Sequence, residues 1–237
     1  MSRFLNISPK NSKVLHEPIY KNALKLKKDA LLIAEINKSF PSATSLLILS
    51  SEEVIKSILV LLHSQGYKTY LIKDSKKFFS DHRVRHQLAQ LMELSTGILE
   101  SFEKKASNGQ VTLLKTKSEF WNGIVNGILE IALASKPFLD SAQRVKKLME
   151  FNDKKNQGLY VDFRDKLLIP HLEISESDFI ETRLIVNSIF NVYKGLKIIF
   201  HPKVQNHFKN DDIELLKKQL QVLIDEALKD YSFQNIK

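Results

Sequence analysis

Apolar residues between Pro41 and His63, in PSATSLLILSSEEVIKSILVLLH, go almost all the way round a helix, and a helix apolar on every side belongs inside a fold. Upstream, from about residue 14 to residue 39, Ile19, Ala23, Leu26, Ala30, Ile33 and Ala34 recur at three- and four-residue steps. That is the mark of an amphipathic helix, with Lys21, Lys25, Lys27 and Lys28 on its other side. The Phe40-Pro41 step separates the two, because proline disfavours helical geometry in the residue before it and is tolerated in the first turn of a new helix. Two helices joined so tightly form an antiparallel hairpin, the starting unit of a bundle.

Gly66 closes the second helix, and a lysine-rich connection leads into a third that runs to about Phe102. Residues 104–117 read as a polar loop around the turn dipeptide Asn108-Gly109. Helical periodicity returns from Ser118 to Ala134 and from Pro137 to about Phe151. Strand residues dominate only in LYVDFRDKLLIP, Leu159 to Pro170, where Leu159, Val161 and Phe163 alternate with Tyr160 and Asp162 and Arg164-Asp165-Lys166 supplies a turn. Ser175 with Asp178 resembles a capping box opening a long helix to His201-Pro202, and a last helix spans about Asp211 to Tyr231. These patterns predict an all-α protein of about seven helices with one short β-hairpin near residues 159–170, in a single domain covering 1–237.

Charge changes the picture at one place in the apolar helix. Glu52, Glu53 and Lys56 interrupt it, and ionisable groups among Leu46, Leu49, Ile55, Leu59 and Val60 need partners. Lys56 lies three and four residues from the two carboxylates, so one ammonium can serve both. The trio reads either as a salt bridge on a helix surface or as a semi-buried polar cluster that positions another element. The same three charges argue against a membrane span for Leu46 to Leu62, since each costs about 2.5–3.5 kcal/mol near a bilayer centre.

Over the whole chain the net charge is +9, which favours phosphate-rich partners or simply solubility. The absence of cysteine excludes disulfides and thiolate chemistry and fits a reducing compartment. MSRFLNISPKN lacks the apolar core of a signal peptide, so a cytoplasmic location is expected.

The densest group of candidate catalytic side chains is His82, Arg83, Arg85 and His86. On a helix His82, Arg85 and His86 share a face, bringing two imidazoles and a guanidinium together. Such a set suits metal-independent RNA cleavage, the imidazoles moving protons and the guanidinium holding phosphate. Lys76, Lys77 and Arg83 are candidates for contacting an RNA backbone, and Phe78 and Phe79 for stacking a base. Two other readings stand beside this one: a solvated basic face, and a metal held by the His82/His86 spacing, which the adjacent arginines oppose. His16, His63 and His201 sit near helix ends or a proline, where capping or surface roles are common. No Gly-rich phosphate loop, Gly-x-Ser-x-Gly elbow or His-Glu-x-x-His motif is present, and no metal or cofactor is expected.

Asn22-Ala23, the Ala30 to Glu35 segment, the Ala43 to Leu49 run and Glu52-Glu53 followed by Lys56 occur in an order that resembles the AbiV-type abortive infection proteins of the HEPN helical group. Phe79 with His82 and Arg85, and GLYVD at 158–162 followed by Pro170, extend the resemblance over about the first seventy per cent of the chain. The resemblance implies defence against bacteriophage by blocking a process such as translation, through RNA or the ribosome. It also implies a homodimer and a phage-encoded protein as trigger or partner. Many HEPN proteins carry arginine, four to six residues, then histidine as an endoribonuclease site at a dimer interface. Here only Arg164 and His171 have that separation, and Pro170 with the strand-like residues puts them on a hairpin instead of a helix. A homodimeric metal-independent endoribonuclease, and a module that binds a phage protein without chemistry, are the alternative readings.

Overall fold

The structure is a computed structural model that describes residues 7–67, 69, 150–151, 153–163, 165–203, 214, 217, 218, 220 and 221. Among them, five helices have both ends in view: α1 Pro9–Ser12, α2 His16–Asn37, α3 Phe40–Ser64, α4 Pro170–Glu173 and α5 Glu176–Ile199. The strands are β1 Asp162–Phe163 and β2 Leu167–Leu168. The all-α class therefore holds, with about five helices seen where about seven were expected. Phe151, residues 153–157 and a few residues between 214 and 221 are also helical.

The predicted hairpin of long helices is present. α2 ends where Lys38 turns into the left-handed region (φ 51°), and α3 begins with Pro41 in its first turn. Ser57 Oγ donates to the His16 carbonyl at 2.7 Å, and Asn22 Nδ2 to Glu53 Oε2 at 3.4 Å, so the two helices run antiparallel. α2 meets α3 through small side chains, Ala23, Ala30 and Ala34, which let the backbones approach.

α5 lies along the same hairpin. Phe179 meets Phe40 near one end (ring centroids 5.9 Å apart) and Phe200 meets Tyr67 at the other (5.7 Å), so α5 runs parallel to α3. Between these ends, Leu47, Ile48, Ile55, Ile58 and Leu62 of α3 and Ile189, Phe190 and Tyr193 of α5 are all but inaccessible to solvent. Each such side chain contributes about 1.5–3 kcal/mol by leaving water. α3 is thus the central helix, buried along most of its length.

The capping box is realised in full. Asp178 N–H donates to Ser175 Oγ, and Ser175 N–H and hydroxyl donate back to Asp178 Oδ2. Desolvation pushes the Asp178 carboxyl up, but Lys154 at 2.7 Å and the Ser175 donors outweigh it and hold the group at about 2. The folded state therefore binds fewer protons there than the unfolded chain. The stabilisation is complete above the ordinary carboxylate value, near 4, and is lost as pH falls from there toward about 2. Ser175→Ala should cost about 0.5–2 kcal/mol in urea unfolding at neutral pH. Asp178→Asn should flatten the stability change between about pH 4 and 2.

The hairpin differs from expectation in its extent. Asp162 faces Leu168 and Phe163 faces Leu167, but each strand has only two residues. Leu159, Val161 and Phe163, which alternate with Tyr160 and Asp162, are all exposed, and Leu168 is the strand residue that is buried. Residues 153–157 are helical beyond the point near Phe151 where a helix was expected to stop, and Gly158 follows them.

Candidate functional site

Glu52, Glu53 and Lys56 fall on the central helix and divide between two surroundings. Lys56 donates to Glu53, a part-exposed pair one turn apart that also reaches α2 through Asn22. Glu52 turns the other way. Its carboxylate is met from another helix, by Lys155 Nζ at 2.9 Å, with less than a tenth of either side chain exposed. The Glu52 pairing departs from a Lys56 shared by both carboxylates, and it makes Glu52 the residue that positions a second element.

Lys155 is held twice. The closing turn of an α-helix leaves carbonyls without intrahelical partners. Gly158 N–H takes the Lys154 carbonyl, and the Leu159 and Tyr160 N–H groups take that of Asn156. The remaining Lys155 carbonyl accepts from Ser45 Oγ at 2.8 Å. Ser45 and Glu52 are seven residues apart on α3, hence on one face, and together they bind the backbone and side chain of one lysine. Gly158 completes the joint, since a Cβ there would fall against Ser45 Oγ and 2.5 Å from the Pro41 carbonyl oxygen. The segment that carried part of the resemblance, GLYVD at 158–162, thus begins with a glycine needed for close approach.

A second polar cluster ties α2 to α5. The Tyr193 hydroxyl lies 2.8 Å from His16 Nδ1, with the Ser57 hydroxyl beside it, and Tyr20 stacks on the Tyr193 ring at 4.0 Å. Desolvation, with Lys197 nearby, depresses the His16 imidazole and so favours the uncharged ring beside the phenol. Burial pushes the Tyr193 phenol up to about 12. Tyr193 is wholly buried, and its hydroxyl clasps α2 to α5 through His16. His63, for which a capping or surface role was expected, is buried and donates from Nε2 to the Ile7 carbonyl at 2.8 Å, whereas His201 accepts from the Lys203 N–H in a turn.

Lys155, Tyr193 and Tyr20 carried no signal in the sequence that separates them from other lysines and tyrosines. Only the demand of Glu52 for a cation was legible. Lys76, Lys77, His82, Arg83, Arg85 and His86, the candidate RNA-binding and catalytic residues, lie outside the described residues, as does Arg164. His171 is exposed on α4, just beyond the hairpin that was expected to hold it. Among the described residues no group of three His, Asp or Glu side chains is arranged to hold a metal ion, and no helix is long and apolar enough to cross a membrane.

Comparison with curated proteins and with solved structures gives no match. Comparison with protein families gives one, HEPN_AbiV, described as AbiV, over residues 12–190. That interval begins at the end of α1, holds all of α2 and α3 with the Glu52–Lys155 joint, and ends inside α5 at Phe190. It covers well over half of the chain, and the chain belongs to the AbiV family of HEPN proteins, the helical proteins of abortive infection.

Proposed function

We propose that this defence protein blocks translation in infected cells by engaging RNA or a ribosomal component through the basic segment Lys76, Lys77, His82, Arg83, Arg85 and His86. The observation that carries the reading is membership of the AbiV family over residues 12–190, in a chain whose net charge is +9. A positive surface draws phosphate-rich partners over a long range, and imidazole with guanidinium supplies the groups that bind and, in the right geometry, cleave at a phosphate.

The test is the double variant His82→Ala/Arg85→Ala in phage-challenged cells and in cell-free translation. It should lose protection and translational block while keeping the helical circular dichroism of the parent. Full activity in the variant would remove these residues from the mechanism. Discrete RNA fragments formed by the parent protein without added metal would assign cleavage, and intact RNA with blocked translation would assign binding alone.

A further inference from the structure

We infer that the groove between α2 and α5 binds phosphate groups in succession, through Lys27, Arg183 and Lys194. Several lysines of the fold are paired with carboxylates: Lys155 with Glu52, Lys56 with Glu53, Lys154 with Asp178 and Lys197 with Glu17. The cations between α2 and α5 are not. Arg183 and Lys194 are exposed and form no ion pair or hydrogen bond among the described residues. Lys27 reaches across from α2, its ammonium 4.5 Å from the centroid of the buried Phe190 ring. The ring face holds the cation in place where water is partly excluded. Desolvation, Lys194 and Arg183 all act to depress the Lys27 ammonium, and no carboxylate offsets them.

The arrangement comes from helix geometry. Arg183, Asn187, Phe190 and Lys194 fall within about 60° of one another around α5, and the eleven residues from Arg183 to Lys194 span about 16 Å along its axis. Lys27 enters near the middle of that stripe, at Phe190. The cations therefore form a row along a groove, which fits a linear polyanion better than a single small anion. Lys21, Lys25 and Lys28, exposed on α2, lie about 100–160° round that helix from Lys27 and so fall outside the row. An oligonucleotide backbone and a free polyphosphate both present that chemistry. The site is distinct from residues 76–86, which remain unchanged in every groove variant, so its failure leaves the proposed function standing and the reverse also holds.

The experiment compares the parent with Lys27→Gln/Arg183→Gln/Lys194→Gln and with the control Lys21→Gln/Lys25→Gln/Lys28→Gln, which removes the same charge. The probes are a ten-nucleotide single-stranded oligonucleotide, followed by anisotropy, and inorganic tripolyphosphate, followed by calorimetry. The groove variant should bind at least tenfold more weakly than the parent. Its slope of log K against log salt for the oligonucleotide should be shallower by about 2, the release expected for three lost contacts on a single strand. The control should change affinity far less. Loss confined to the oligonucleotide assigns the site to nucleic acid, and loss confined to tripolyphosphate assigns it to free polyphosphate. Equal loss in both variants, or no loss in the groove variant, overturns the proposal. Lys27→Met, which keeps the aliphatic cover over Phe190, serves in place of Lys27→Gln if the triple variant loses its fold.

Discussion

Lys155→Met should lower the stability of the folded protein by about 3–5 kcal/mol, the cost of removing one member of a buried ion pair. The reason is the surroundings of Glu52, whose side chain is only 9% exposed beside a Lys155 that is 7% exposed. Removing the ammonium takes from Glu52 the cation that meets it from the helix of residues 153–157, and loosens that helix from α3. The loss draws on a total stability that for a domain of ordinary size is about 5–15 kcal/mol. Urea unfolding of Lys155→Met beside Lys56→Met makes the comparison. The Lys56–Glu53 pair is about a fifth exposed and one turn apart, so its loss should cost about 1 kcal/mol or less. Glu52→Leu/Lys155→Met should recover part of what the single change loses, because the double change removes the buried carboxylate together with its cation. Equal effects of Lys155→Met and Lys56→Met would mean that Glu52 is not held by Lys155 in solution.

Gly158→Ala should destabilise by about 1–3 kcal/mol, although an ordinary Gly→Ala replacement at a compatible site stabilises by about 0.4–1 kcal/mol. The added methyl would meet Ser45 Oγ and the Pro41 carbonyl oxygen, 2.5 Å away. Ser45 can rotate, but only by giving up its bond to the Lys155 carbonyl, and that carbonyl would then be buried without a donor. Pro41 cannot yield in that way, since its carbonyl belongs to the first turn of α3. For this reason Ser45→Ala should not rescue Gly158→Ala. Thermal unfolding of both single variants and the double reads the outcome, and a Gly158→Ala protein as stable as its parent would show that the two backbones do not approach so closely.

Both predictions concern contacts that link distant parts of the chain, and this is where reading the sequence stopped. The α2–α3 hairpin was legible because its signals are local: three- and four-residue periodicity, a proline that ends one helix and starts the next, and Gly66 with positive φ at the far end. The Ser175–Asp178 box was legible for the same reason, its two residues being three apart. The alternation of Leu159, Val161 and Phe163 marked the hairpin but not its burial, because alternation implies a buried face only if something covers it. The hairpin instead leaves those three exposed.

Histidine showed the same limit. A position near a helix end suggested capping or surface roles for His16 and His63, and the fold gave each a partner far away in sequence, Tyr193 and Ile7. The trio of Glu52, Glu53 and Lys56 was correctly singled out as charge in an apolar setting, yet spacing along one helix offered Lys56 to both acids.

By itself the sequence determined which segments are long helices, where they begin, that one of them lies at the centre, and which family the chain resembles, since period, breakers and motif order are properties of neighbouring residues. Only the tertiary structure decided that Glu52 belongs to Lys155, that Gly158 is a point of close approach, and that Lys27, Arg183 and Lys194 share a groove. Those partners are joined through space across 100 residues or more in the first two cases and between two helices in the third, and no local pattern encodes which of many chemically identical side chains the packing will bring together.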